Sequence, residues 1–174
     1  MAFHLEVMGQ LLHAVQEGEH VVRLKGGDPF IFGRGGEEVE HLRQAGIDVE
    51  VVNGITSGLA GMSSLGAPLT HREHAHGVVF VTGHAKPGDS GTDWAQLATT
   101  AHQAKLTLVI YMGVSSLDHI RQGLLQGLPA HTPVAVVQHA SLPQQREAFC
   151  TLGALARTVR ERIKLKGKVE AFYK

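Results

Sequence analysis

Three clusters of residues have the types and spacing to do chemistry. The first is Arg23-Leu24-Lys25-Gly26-Gly27-Asp28-Pro29-Phe30-Ile31-Phe32-Gly33-Arg34-Gly35-Gly36-Glu37-Glu38, where a short apolar run ends in two glycines, an acid and a proline. At the carboxyl end of a strand, such a turn is where α/β proteins place ligands. Glycines let a ligand lie against bare backbone, and an aspartate accepts hydrogen bonds from hydroxyls or an amine. The spacing is not Gly-x-Gly-x-x-Gly, and no lysine of the Walker type follows a second glycine, so neither a dinucleotide nor a nucleoside triphosphate is the natural ligand. A tight turn without a ligand is the competing reading of the same residues.

The second cluster is Asn53-Gly54-Ile55-Thr56-Ser57-Gly58, followed by Gly66-Ala67-Pro68-Leu69-Thr70-His71-Arg72. Thr56 and Ser57 stand at a helix start, where hydroxyls and unpaired amides cap the helix or hold a polar ligand. Capping alone explains them as well. His71 and Arg72 are types that meet carboxylates, since arginine offers a planar fork. The third cluster is His71, His74, His76 and His84. Zinc uses histidine, but His74 and His76 read as loop residues, and no cysteine or regular helical pair completes a closed site, so no metal is expected. There is no Gly-x-Ser-x-Gly elbow to support a hydrolase triad.

The elements that must position these residues alternate. Leu5, Met8, Leu12 and Val15 mark one helical face, stopped at Gly18. Strands are expected at 21–24, 48–52, 78–82, 106–112, 134–137 and 149–151. Helices are expected at 36–45, 56–65, 94–103, 115–126 (capped by Ser115 or Ser116) and 152–163. Strands alternating with helices of this length imply an α/β protein with much parallel pairing.

Length and composition bound the rest. The 174 residues suit one domain or two small lobes, and 43% hydrophobic with 18% charged residues is a globular composition. Acids and bases balance at 16 each, which argues against a nucleic-acid partner. Cys150 is the one cysteine, so a disulfide framework is excluded. No apolar run is long enough to span a bilayer and no secretory signal is visible, so the expectation is a cytoplasmic protein without a membrane partner. From Arg157 onward seven bases face two acids. This tail, atypical from about residue 164, reads as a solvated, frayed end.

Taken in order, the clusters resemble the uroporphyrinogen-III C-methyltransferases of the tetrapyrrole methylase family. The resembling stretches are 22–38 (VRLKGGDPFIFGRGGEE), 50–57 (EVVNGITS), 66–72 (GAPLTHR), 81–84 (VTGH) and 111–113 (YMG). The resemblance implies a two-lobed α/β fold, split at 1–53 and 54–174, that holds S-adenosyl-L-methionine between its lobes and releases S-adenosyl-L-homocysteine. It implies a homodimer that methylates uroporphyrinogen III at C2 and C7, giving precorrin-2 for siroheme and cobalamin. Position by position, it assigns the cofactor to Gly26, Gly27, Asp28, Ile31, Thr56, Ser57, Met112 and Ala140. Arg34, His71 and Arg72 are then expected to anchor substrate carboxylates. The family's first strand, its glycine- and proline-rich loop and its acid–base residues have no counterpart here, nor does its closing strand. The expectation is therefore a fold truncated at both ends, with no catalytic residue to name and little activity in the isolated chain. The alternative is a non-catalytic remnant acting as a binding module.

Overall fold

The computed structural model describes residues 2–84, 88, 91–163 and 169–173. The chain divides into two compact units, Met1–Thr56 and Ser57–Lys174. The N-terminal unit contains helices α1 (Ala2–Gln16) and α2 (Gly35–Gln44) joined by extended chain and the glycine-rich turn. The C-terminal unit contains α3 (Ser57–Ser64), β1 (Gly77–Thr82), α4 (Trp94–Gln103), β2 (Leu106–Tyr111), α5 (Leu117–Leu124), β3 (Pro133–Gln138), β4 (Arg146–Thr151), α6 (Leu155–Arg162) and β5 (Val169–Tyr173).

The strands form one sheet in the order β1-β2-β5-β3-β4. β1 and β2 are parallel, whereas β5 is antiparallel to both β2 and β3. It follows that β1, β2 and β3 all run the same way and end at one edge of the sheet. β2 is apolar on both faces, and its residues alternate between two cores as a strand requires. Leu108 and Ile110 pack with Trp94, Ala98, Ile120, Leu124, Leu155 and Val159 from α4, α5 and α6. Val109 and Tyr111 pack on the other face with Met62 of α3 and Val137. Each fully buried leucine or isoleucine here contributes about 1.5–3 kcal/mol over the exposed side chain.

The α/β class and most element positions agree with the sequence reading; the pairing does not. Residues 21–24 and 48–52 join no ladder among the described residues. Val22 is 78%, Leu24 84% and Val52 76% exposed. Their β-branched and apolar types describe a surface that fits a neighbouring strand, and a strand forms only where that neighbour exists. Among the described residues parallel pairing is found only at β1–β2: β5 is antiparallel to β2 and β3, and β3 and β4, joined by seven residues, close as an antiparallel pair. The tail is not simply frayed. Its segment 169–173 is rich in strand formers and pairs along β2 and β3, which the basic count of the tail concealed. The expected serine cap is also absent: a single 3-10 turn, Val114–Ser116, leads into α5 without a side-chain cap bond. α4 is capped by Asp93, whose Oδ1 accepts from the Gln96 amide at 2.9 Å.

Candidate functional site

In the C-terminal unit the carboxyl ends of β1, β2 and β3 carry the segments 83–84, 112–113 and 139–141. The first two meet closely: the Gly83 amide donates to the Tyr111 carbonyl at 2.6 Å, and a side chain on Gly83 would strike the Gly113 backbone. Three non-glycine residues at this edge have left-handed backbone, Met112 (φ 56°), His139 (φ 54°) and Ser141 (φ 67°). Such conformations persist only where surrounding structure imposes them, and they cluster at ligand sites. Met112 is 39% exposed.

Tyr111 is the hub of the arrangement. Its hydroxyl accepts the Gly58 amide at 3.0 Å, which holds the first turn of α3, and with it Ser57, to the end of β2. Ala140 packs against the small core formed by Tyr111, Met62, Val109 and Val137. Tyr111 thus has Met112 next to it in sequence, the start of α3 on its hydroxyl and Ala140 packed against the core it belongs to. An edge of parallel-running strand ends is also where open α/β sheets bind ligands.

In the N-terminal unit the turn is built on Asp28. Its Oδ1 accepts the Phe30 amide at 2.8 Å and its Oδ2 the Gly54 amide at 3.3 Å. Gly27 has φ 77°, a conformation that favours glycine. A side chain on Gly54 would strike the Gly27 carbonyl, so the two glycine segments lie against one another. Gly26, Gly27 and Ile31 are exposed, and each Asp28 oxygen keeps a further lone pair. Bare backbone, an acid with spare acceptor capacity and an apolar side chain fit a ligand with amino, hydroxyl and apolar parts. Thr56 is buried at the end of this unit.

The expected substrate anchors are placed differently. Arg34 is exposed and already bonded to Glu37 Oε2 through Nε at 2.9 Å and through its terminal nitrogen. That side-chain bond pushes the Arg34 guanidinium further above its already high range. His71 and Arg72 sit in a turn closed by the His71–Ala75 bridge, next to the amino ends of β1 and β2, where the His76 amide donates to Lys105 O at 2.8 Å. A six-residue strand separates this turn from the Met112 edge by roughly 17 Å. His71 and Arg72 therefore lie at the opposite end of β2 from Met112.

Within this turn one ligand atom each of His71, Glu73 and His74 lies within 4.8 Å of the others, all three residues exposed. Glu73 had no place in the sequence reading, which counted histidines only. The His71 and His74 rings stack at 4.7 Å and 18°, so their in-plane lone pairs run alongside rather than toward a common point. His71 Nδ1 also accepts the Glu73 amide at 3.2 Å. A structural zinc site needs four converging ligands. Chain dialysed against chelator is expected to carry well under one zinc by elemental analysis; stoichiometric retained zinc would refute this.

Two buried groups went unrecognised in the sequence. Glu38 of α2 is buried and accepts Lys25 Nζ at 2.8 Å and Arg23 at 3.4 Å, so an acid in a Glu-rich helix anchors the strand-like run before the glycine turn. Tyr111 reads as one more apolar strand residue until its hydroxyl is seen on Gly58. Cys150 is partly buried on β4, where burial pushes its thiol above the ordinary range, so it is no ready nucleophile.

The family model of Tetrapyrrole (Corrin/Porphyrin) Methylases matches residues 2–156. The chain is 50% identical over 155 residues to a siroheme synthase of Azotobacter vinelandii, covering 88% of this chain and 32% of that protein. It is 49% identical over 148 residues to a uroporphyrinogen-III C-methyltransferase of Pseudomonas aeruginosa, covering 84% of this chain and 58% of that one. The chain thus spans about a third of the first relative and less than two thirds of the second. A uroporphyrin-III C-methyltransferase of Thermus thermophilus, solved with S-adenyl homocysteine, matches with a TM-score of 0.78 and 38% identity over 96% of this chain and 71% of that one.

Proposed function

Because the chain belongs to the tetrapyrrole methylase family, we propose that it serves the S-adenosyl-L-methionine-dependent C-methylation of uroporphyrinogen III. The methyls go to C2 and C7, giving precorrin-2 for siroheme and cobalamin synthesis, in a cytoplasmic homodimer. The observation that supports this reading is the Gly58 amide on the Tyr111 hydroxyl, which ties the start of α3 to the carboxyl end of β2, where Met112 follows in left-handed backbone.

When bound, S-adenosyl-L-methionine supplies an electrophilic methyl group. The work left to the protein is orientation, because a reacting carbon must be held about 3–3.5 Å from the methyl and in line with the bond that breaks. Gly26, Gly27 and Asp28 offer backbone and carboxylate to polar groups of the cofactor. Ile31 and Met112 offer apolar contact, and Thr56, Ser57 and Ala140 complete the set. Asp28 is suited to this because its two backbone bonds fix the carboxylate without exhausting it. Arg34, His71 and Arg72 are proposed to hold substrate carboxylates. Standing apart from Met112, His71 and Arg72 bind rather than react.

The test is calorimetric titration of the 174-residue chain with S-adenosyl-L-homocysteine. One saturable site per chain is expected, and its loss in Met112→Ala would tie it to the β2 edge. Absence of saturable heat would refute the cofactor assignment.

A further inference from the structure

Resting on the reading of Ser57 and Ala140 as cofactor residues, we propose that Gln145 is a positioning residue whose carboxamide clasps the 139–141 arch to α3. The arch follows β3 and presents Ala140 between two left-handed residues, His139 and Ser141, neither of them glycine. A backbone of this kind relaxes unless something holds it. The backbone supplies two holds, Leu142 N to His139 O at 3.0 Å and Gln145 N to Leu142 O at 2.9 Å. Neither of them engages the Ser141 amide.

That amide donates to Gln145 Oε1 at 2.8 Å. The other end of the same carboxamide, Nε2, donates to Ser64 Oγ at 3.0 Å and reaches Glu147 Oε2 at 3.4 Å. The Ser64 hydroxyl in turn donates to Gly61 O at 2.7 Å, inside α3. One side chain therefore links the strained arch to the helix that begins with Ser57, across 81 positions of sequence. Gln145 lies just before β4, and the six-residue β3–β4 ladder closes without its side chain. Its amide is thus engaged in placing the arch, not in forming the sheet. A displaced arch moves Ala140 relative to Ser57 and weakens cofactor binding even though every residue that would touch the cofactor is still present.

The experiment compares the parent chain with Gln145→Ala, Ser64→Ala and the double variant. It measures affinity for S-adenosyl-L-homocysteine by calorimetry, amide exchange at Ser141, and the melting midpoint. Gln145→Ala is expected to lose about 5- to 30-fold in affinity, the scale of one or two hydrogen bonds. Ser64→Ala should lose less, and the double variant no more than Gln145→Ala, because the two residues act through one link. Ser141 exchange should rise about 10-fold or more, with strand amides unchanged and the midpoint within about 2 °C of the parent. Unchanged affinity in Gln145→Ala overturns the positioning role, as does unchanged Ser141 exchange. Faster exchange throughout the strands would mark Gln145 as general fold support and also overturn it. A parent chain without affinity would instead overturn the cofactor reading, and the exchange measurement then decides the clasp by itself.

Discussion

Gly27→Val is expected to lower the affinity of the chain for S-adenosyl-L-homocysteine by about 100-fold or more. Gly27 sits at φ 77°, where a β-branched side chain is a steric outlier. The turn has no easy way to relax. Asp28 next to it holds the Phe30 and Gly54 amides, and the Gly54 backbone lies directly against the Gly27 carbonyl. Keeping the turn costs about 1–3 kcal/mol of strain. Releasing it gives up two charge-assisted bonds of comparable worth. Either route, added to methyls standing where a ligand would meet bare backbone, reaches about 3 kcal/mol, which is roughly 100-fold. Gly36→Ala is the control, since a Cβ there meets nothing within 4 Å, its backbone is not left-handed and it stands outside the proposed cofactor residues. Calorimetry on both variants, with circular dichroism to verify folding, decides the matter. Parent-like affinity in Gly27→Val would place the ligand elsewhere.

What the sequence discloses and what it withholds divide along physical lines. Periodicity locates α4 to the residue and most other elements within one to three residues, because the face that must be buried is written in side-chain type. The glycine turn is legible for the same reason: two glycines, an acid and a proline leave few backbone choices. Pairing is less legible. Residues 21–24 have the types of a strand, yet Val22 and Leu24 stand exposed because no neighbour is written into those residues. Conversely, 169–173 is hidden in a basic tail, although its position between β2 and β3 depends only on five residues that accept extended structure. The least legible features are left-handed backbone at non-glycine residues and polar bonds over long separations. Met112, His139 and Ser141 carry no mark of their φ. Nothing local connects Gln145 with Ser64, Tyr111 with Gly58, or Glu38 with Lys25. The separation of His71 and Arg72 from Met112 likewise appears only once the direction of β1 and β2 is known, since motifs that are adjacent in an ordered list can lie at opposite ends of a strand.

Gly58→Val is expected to destabilise the chain by about 2–6 kcal/mol, a large part of the roughly 5–15 kcal/mol that holds an ordinary domain together. Gly58 lies in the first turn of α3, against the end of β2. A Cβ there would overlap the Tyr111 hydroxyl and come within 2.7 Å of Val109 Cγ1. Val109 is fully buried and Tyr111 nearly so, and Tyr111 also meets Phe80 edge-on at 6.1 Å between ring centres. Neither neighbour can step aside freely. If the tyrosine swings away, the Gly58 amide loses its 3.0 Å acceptor and is left as a buried donor, at about 1–3 kcal/mol. If α3 lifts instead, Met62 separates from Val109 and Val137, and the overpacked core yields another roughly 1–3 kcal/mol. Valine adds three carbon atoms to a site that does not accept one, so neither movement alone makes room and both penalties apply. A fall of about 5 °C or more in the melting midpoint is expected. The pair Gly58→Ala and Tyr111→Phe isolates the cause. Each alone should destabilise, but in the double variant the missing hydroxyl makes room for the new methyl, so the combined loss should be smaller than the sum. Fully additive losses would show that the clash lies with Val109 and not with the hydroxyl. A Gly58→Val chain melting within about 2 °C of the parent would remove Tyr111 as the hub that joins α3 to β2.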